Sequence, residues 1–307
     1  MPNRRLKNIY SITRREFLKL SSFILAGLTI DPRFAFSRQK NPEIRVKFGI
    51  VTDSHYADSD PKRNRYFRES ISKMEECVDL MNQMKVDFLI ELGDFKDQDI
   101  PPNKKNTLLY LQKIENLFQQ FKGPKYHVIG NHDLDSISKE DFSKIVGNTK
   151  IPGNSTFYSF DLNRLHFIVL DANFKSDGTD YRNGNFDFRD TNISSAEIDW
   201  LKRDLKSTSK PVVVFIHQQL DCEGDLCVNN AEEVRSILDN SSKILAVFQG
   251  HNHKGYYSQI KGIHYYTLKA MVDGSGSQNN SYAIVQVFDN GSLSITGYRK
   301  AITKELL

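Results

Sequence analysis

Five times along this chain a short apolar run stops and a small polar cluster follows it. Val46–Thr52 leads into Asp53-x-His55, and Val86–Leu92 into Gly93-Asp94. Tyr126–Ile129 leads into Gly130-Asn131-His132-Asp133, Pro211–Ile216 into His217, and Ile244–Phe248 into Gly250-His251-x-His253. Short, near-continuous apolar runs separated by helical periodicity read as buried strands of an α/β domain. In open α/β sheets, ligands bind beyond the carboxyl ends of the strands, where loops from distant parts of the chain meet. Five polar clusters at five strand ends are therefore expected to form one site.

Helical patterns occupy roughly 64–84, 106–121, 195–206 and 231–239. Ser194 with Glu197 and Asn230 with Glu233 read as helix starts. The C-terminal part is β-rich, and Asp289-Asn290-Gly291 marks a hairpin turn. A sixth strand-like run spans Leu165–Leu170. No repeat or linker divides 45–307 into independent domains.

Hydrophobic content of 39% and charged content of 26% describe a globular chain of 307 residues. The formal charge of +4 suggests nucleic acid until it is located. Residues 1–37 hold seven Lys and Arg against Glu16 and Asp31, so the remainder carries a net −1. A basic surface for nucleic acid is thus not expected. The excess belongs to "TRREFLKLSSFILAGLTI", where twin arginines precede a short apolar run, with small residues Ala35 and Ser37 after it. The run is shorter than the ~20 apolar residues of a membrane span. It resembles a twin-arginine signal, which predicts a signal at 1–37, export by that machinery after folding, and a periplasmic or secreted domain at 38–307. Cys77 falls on the apolar face of a helical pattern, as a buried thiol would. Cys222 and Cys227 lie in a polar loop and are expected to pair in an oxidising compartment, a pair of loop thiols near a metal being the alternative.

Asp-x-His alone is commonplace, and a capping Asp beside a surface His would explain it. Gly-His-x-His is rarer: random placement of 17 glycines and 8 histidines yields it in about one such chain in a hundred. The ordered set of all five clusters goes far beyond chance. Over about 45–300 it resembles the calcineurin-like metallophosphoesterases, whose five motif blocks are all present. The resemblance implies an α/β fold of two packed mixed β-sheets flanked by helices, with two divalent metal ions at the strand ends. It implies Asp53, His55, Asp94 and His253 as ligands of one ion, and Asp94, Asn131, His217 and His251 as ligands of the other. Imidazoles with carboxylates and an amide oxygen suit Mn, Fe or Zn, and the lack of thiolates argues against a closed structural zinc. His132, beside a ligand yet not needed as one, is placed to act as general acid. Asp133 is read as a turn residue or as the partner that orients His132, and Asp97 of "GDFKD" as structural, near the mouth.

Within the family, "FGIVTDSHYAD", "RNRYFRES" and "GHNHKGYYSQIKGIHYYTLKAMVDG" are similar to manganese-dependent ADP-ribose/CDP-alcohol diphosphatases, although that branch often has Gln at the position of His55. Gln218-Gln219 follows His217 where many members have a second His. The similarity implies manganese and hydrolysis of a phosphodiester or pyrophosphate bond in a small nucleotide-like ester. Arg63, Arg65, Arg68, Tyr66 and Phe67 would then supply cations for phosphate and rings for a base, with Arg68 and Tyr66 as the named substrate contacts. Solvated arginines at a helix start are the plainer reading of the same stretch. The competing activities are a broad phosphomonoesterase, a cyclic-nucleotide phosphodiesterase and a secreted metal-binding protein without turnover.

Overall fold

A computed structural model of the chain describes residues 42–151, 153 and 155–307. The signal expected at 1–37 lies outside them. Twelve strands form two six-stranded sheets among the described residues. The first has the order β12-β11-β10-β1-β2-β3, with β1 Ile44–Val51, β2 Phe88–Glu91, β3 Lys125–His127, β10 Ser281–Phe288, β11 Leu293–Arg299 and β12 Lys304–Leu306. The second runs β4-β5-β6-β7-β9-β8, with β4 Tyr158–Leu162, β5 Leu165–Val169, β6 Val212–Phe215, β7 Ile244–Gln249, β8 Tyr256–Ile260 and β9 Ile263–Thr267. Both sheets are mixed. β1, β2 and β3 are mutually parallel, as are β5, β6, β7 and β9, with antiparallel strands at the flanks.

The sheets face one another through aromatic rings. Phe48 of β1 stacks on Phe88 of β2 at 4.8 Å and meets Phe167, Phe215 and Phe248 of the other sheet edge-on at 5.6–5.9 Å. All five are wholly buried. Emptying such a site costs about 3–5 kcal/mol. Helices α1 (Ser70–Met84) and α2 (Lys104–Phe118) cover the outer face of the first sheet. Met74, Cys77, Met81, Leu111 and Phe118 pack there with Val51 and Leu89. A short helix, α3 (Lys139–Ser143), follows β3, while α4 (Ser195–Ser207) and α5 (Ala231–Ser241) cover the second sheet through Ile198, Leu201, Val234 and Leu238. The helix–sheet–sheet–helix sandwich agrees with the expected fold class.

Two local readings are corrected. The helix expected from 64 begins as an α-helix only at Ser70, after a 3-10 turn at Phe67–Glu69, because 62–66 is drawn into a turn tied by Lys62–Arg65 hydrogen bonds. Ser194 does cap α4, accepting from the Glu197 amide, but Asn230 does not cap α5. Its side-chain amide instead bonds both the N–H and the carbonyl of Ile193, at 3.0 and 2.9 Å, joining two loops.

The parallel strands place their carboxyl ends on one side, and the loops continue the pairing past those ends. The amides of Asp53 and His55 donate to the carbonyls of Gly93 and Asp94 at 3.0 and 2.9 Å, and Gly250 donates to His217 at 3.0 Å. A side chain at Gly250 would press on Thr52 and on the Asp53 carboxylate. Gly93, at φ +100°, leaves 2.5 Å between a notional Cβ and His217 Nδ1. Only glycine lets these loops approach so closely.

Candidate metal centre

Asp53, His55, Asp94 and His251 all sit at positive φ, between 44° and 65°. That conformation costs a non-glycine residue roughly 1–2 kcal/mol. Four such residues beside one another are strain held by the surrounding fold, of the kind found at functional sites.

Their side chains converge with those of Asn131, His217 and His253. Asp53, His55 and His253 each bring a donor atom within 4.8 Å of the others, as do Asp94, His217 and His251. The Asp94 carboxylate, a member of the second group, also approaches the first. Its Oδ2 lies 3.4 Å from His55 Nε2 and 3.2 Å from His217 Nε2, while its Oδ1 accepts the His132 amide at 2.8 Å. The imidazoles are oriented from behind. His217 Nδ1 donates to the Leu92 carbonyl at 2.8 Å, and His253 Nδ1 faces Asp273 Oδ1 at 3.0 Å. His55 Nδ1 faces Asp97 Oδ2 at 3.3 Å. In each ring this leaves Nε2 for the centre.

Do these residues fit metal ions? Asp53 Oδ1, Asn131 Oδ1, His217 Nε2 and His251 Nε2 are buried and lack a hydrogen-bond partner. Buried polar atoms rarely go unpaired, and several aimed at one point call for a cation. His55 Nε2 and His253 Nε2 face each other at 3.2 Å, a pairing that two lone pairs accept only with positive charge nearby. The electrostatics agree. Burial would raise Asp94, yet His217, His132 and His55 hold it well below the usual carboxylate range. Burial opposes charge on His217, but Asp94 and Asp53 carry it up to about 9. Burial and Arg65 oppose charge on His55, which Asp94, Asp53 and Asp97 likewise carry up to about 9. Burial and then His217 push His251 down to about 3, leaving a neutral imidazole suited to ligation. The carboxylates demand positive charge, and the donor set, four imidazoles with carboxylate and amide oxygens, fits hard or borderline divalent ions.

The centre opens into a cavity of about 930 Å³. Asp94, Asn131, His132, His251 and His253 line its inner end. Arg63, Arg65, Phe67 and Arg68 line it farther out, with Ile100, Phe186, Phe188 and Leu226. Arg68 is half exposed and paired with Asp58 at 2.5 Å and Asp60 at 2.6 Å. Tyr66, expected to touch substrate, is not among the lining residues; its amide donates to the Val272 carbonyl at 3.0 Å.

Asp97 is more than structural. It stands at the mouth as expected, but its two oxygens face His55 Nδ1 at 3.3 Å and His132 Nδ1 at 3.6 Å. Asp133 does not orient His132. Its carboxylate accepts the amides of Asp94, Phe95 and Gly130, each at 2.9 Å, so it knots the loops after β2 and β3 together. Sequence reasoning missed Asp273, Phe186 and Phe188. The signal for Asp273 was its place four residues after a lysine in the C-terminal β-rich stretch, which carries no chemistry by itself. Cys222 and Cys227 are joined in a disulfide, and Cys77 is buried and free.

Among known proteins, the manganese-dependent ADP-ribose/CDP-alcohol diphosphatase of Arabidopsis thaliana is 26% identical over 297 residues, covering 81% of this chain and 93% of that protein. The rice protein of the same name is 28% identical over 272 residues, covering 74% of this chain and 83% of its own length. Among solved structures, a dimetal phosphatase from Danio rerio superposes with a TM-score of 0.75 at 17% identity, over 86% of this chain and 99% of that one. Residues 46–255, which carry all five polar clusters from Asp53 to His253, match the family described as Calcineurin-like phosphoesterase. The chain therefore belongs to the calcineurin-like phosphoesterases and is a metal-dependent hydrolase of phosphoric esters.

Proposed function

We propose that this enzyme cleaves a phosphodiester or pyrophosphate bond in a small nucleotide-like molecule of the ADP-ribose or CDP-alcohol type, with two divalent ions, manganese favoured. Asp53, His55, Asp94 and His253 hold one ion, and Asp94, Asn131, His217 and His251 hold the other. The observation that carries this is Asp94 Oδ2, set 3.4 and 3.2 Å from imidazoles of the two groups. When bound, the ions supply charge to the phosphoryl oxygens and acidity to the attacking water. The chain does the rest. Asp273 and Asp97 fix the His253 and His55 rings, and Asp133 holds the two loops in register. His132 is placed as the general acid for the departing oxygen, with Asp97 on its Nδ1 side. Arg63 and Arg65 lie where a second phosphate would be met.

A cavity of about 930 Å³ suits a whole nucleotide conjugate. The names of the plant relatives point to the same substrates. A panel of ADP-ribose, CDP-choline, cyclic AMP and p-nitrophenyl phosphate tests the reading on the manganese-loaded enzyme. One of the first two is expected to exceed the others in kcat/KM by about tenfold or more, the worth of a single good extra contact. Preference for cyclic AMP or for p-nitrophenyl phosphate would overturn it.

The enzyme is further proposed to work in the periplasm or outside the cell, its mature chain beginning near Arg38. Arg14-Arg15 before the apolar run supports this, as does the Cys222–Cys227 disulfide, which suits an oxidising compartment. Among the described residues no helix is long and apolar enough to cross a membrane. Replacing both Arg14 and Arg15 by lysine is expected to leave uncleaved precursor in the cytoplasm, read by cell fractionation and immunoblotting. Undiminished export would remove the twin-arginine route.

A further inference from the structure

The loop between His217 and α5 carries the disulfide to the cavity's edge. Leu226, just before Cys227, lines the cavity and is 39% exposed. Leu220 and Asp221 on the ascending arm are fixed to the frame. The Leu220 amide donates to Gln249 Oε1 at 2.7 Å, and Asp221 accepts Gln249 Nε2 at 2.9 Å and Ser258 Oγ at 2.6 Å. The descending arm is fixed as well, through Val228 N to the Gln219 carbonyl at 3.0 Å and Thr191 Oγ1 to the Cys227 carbonyl at 3.2 Å. Between these arms the tip has one hydrogen bond of its own, Cys227 N to the Gly224 carbonyl at 3.0 Å. Glu223, Gly224 and Asp225 are exposed, and the Cys222–Cys227 bond closes the tip beside Leu226.

We propose that Leu226 is a specificity-determining wall for the part of the substrate remote from the scissile phosphate, and that the Cys222–Cys227 bond holds this wall in place. The proposal rests on the cavity being the catalytic site of a nucleotide-like substrate. Phe188, 41% exposed, lines the same cavity. The same descending arm steadies the segment after Phe188, since Asn229 donates through its amide N to the Thr191 carbonyl at 2.8 Å and through Nδ2 to the Arg189 carbonyl at 3.3 Å. A bulky ester group entering the cavity covers these exposed apolar side chains, while a small phosphate monoester sits at the metal end and leaves them uncovered. Cys222 is half buried and within reach of a dithiol, whereas Cys227 is buried. Reduction takes two electrons and two protons from the dithiol. The S–S bond breaks to two thiols, and the dithiol closes to its own disulfide. The six-residue loop then regains conformations that the cross-link denies it, and the wall loses definition.

The test compares four preparations of the manganese-loaded enzyme: oxidised, dithiothreitol-reduced, Cys222→Ser/Cys227→Ser, and Leu226→Gly. KM and kcat are measured for ADP-ribose and for p-nitrophenyl phosphate. For ADP-ribose, KM is expected to rise about 3–10-fold in the last three preparations, as loss of a partly buried leucine contact would give, with kcat little changed. The effect on p-nitrophenyl phosphate should be several-fold smaller. The double serine variant should not respond to dithiothreitol, which separates loop release from capture of metal by the thiol reagent. Equal KM for ADP-ribose in oxidised and reduced enzyme, or equal changes for both substrates, would overturn the proposal. Should the serine variant not fold, the reduced and Leu226→Gly preparations still decide. If ADP-ribose is not hydrolysed at all, the nucleotide reading falls, and the same comparison between bis(p-nitrophenyl) phosphate and p-nitrophenyl phosphate tests the wall independently.

Discussion

Asp94→Asn is expected to abolish turnover, with kcat falling by at least about 10³-fold, the several kcal/mol that metal charge contributes to phosphoryl transfer. It should lose more than a change at any terminal ligand such as His251 or His253. The reason is geometric. Asp94 sets a single oxygen, Oδ2, between imidazoles of both groups, 3.4 Å from His55 and 3.2 Å from His217. Asparagine keeps the shape, and its amide oxygen keeps an acceptor for the His132 N–H that Oδ1 now binds at 2.8 Å. What would vanish is the negative charge that, on the proposed assignment, both cations would draw on. Metal content and kcat are to be measured on the same preparation, with circular dichroism to show that the fold persists. Two ions per chain at full activity would refute a shared carboxylate.

The parts legible in the sequence were those whose signals lie within a few residues of one another. Phe48–Val51, Phe88–Ile90 and Val212–Phe215 are buried on both faces, so their strands announced themselves as unbroken apolar runs. The polar clusters were legible because each begins where its run ends. Asp97 and Asp273 were not, because their chemistry depends on contacts across 42 and 20 residues, to His55 and His253. A lone aspartate near a turn gives no hint of an imidazole that folding brings to it. Asp133 misled for the converse reason. Its neighbour in sequence is His132, yet its partners in space are amides 39 and 38 residues away, at Asp94 and Phe95. Phe186 and Phe188 lie in a polar loop without periodicity, and only the folded chain turns them toward the cavity. The positive φ angles of Asp53, His55, Asp94 and His251 have no local signature either, since none is a residue that prefers that region as glycine does.

His132→Ala tests the division of labour in the centre. The backbone of His132 is held independently of its ring: its N–H donates to Asp94 Oδ1 at 2.8 Å, and its carbonyl accepts Lys96 Nζ at 2.6 Å. Alanine therefore removes the imidazole and leaves the loop, Asn131 included, where it was. The ring itself is a quarter exposed, lines the cavity and stands 4.7 Å from the His55 ring and 5.5 Å from Phe186. A proton donor in that position matters in proportion to how poorly the leaving oxygen departs unaided. General acid catalysis contributes about 10²–10⁴-fold, so kcat for ADP-ribose or another alkyl or ribosyl leaving group should fall by that order. For p-nitrophenolate, which departs readily without a proton, the fall should be far smaller. The plot of log kcat against leaving-group pKa should steepen relative to the unaltered enzyme, with two ions retained. His55, Asp97 and His132 also bring donor atoms within 4.8 Å of one another, which makes ligation the rival role. Loss of an ion on substitution would assign His132 to the metal, and equal losses across the series would make it a phosphate-positioning group that donates no proton.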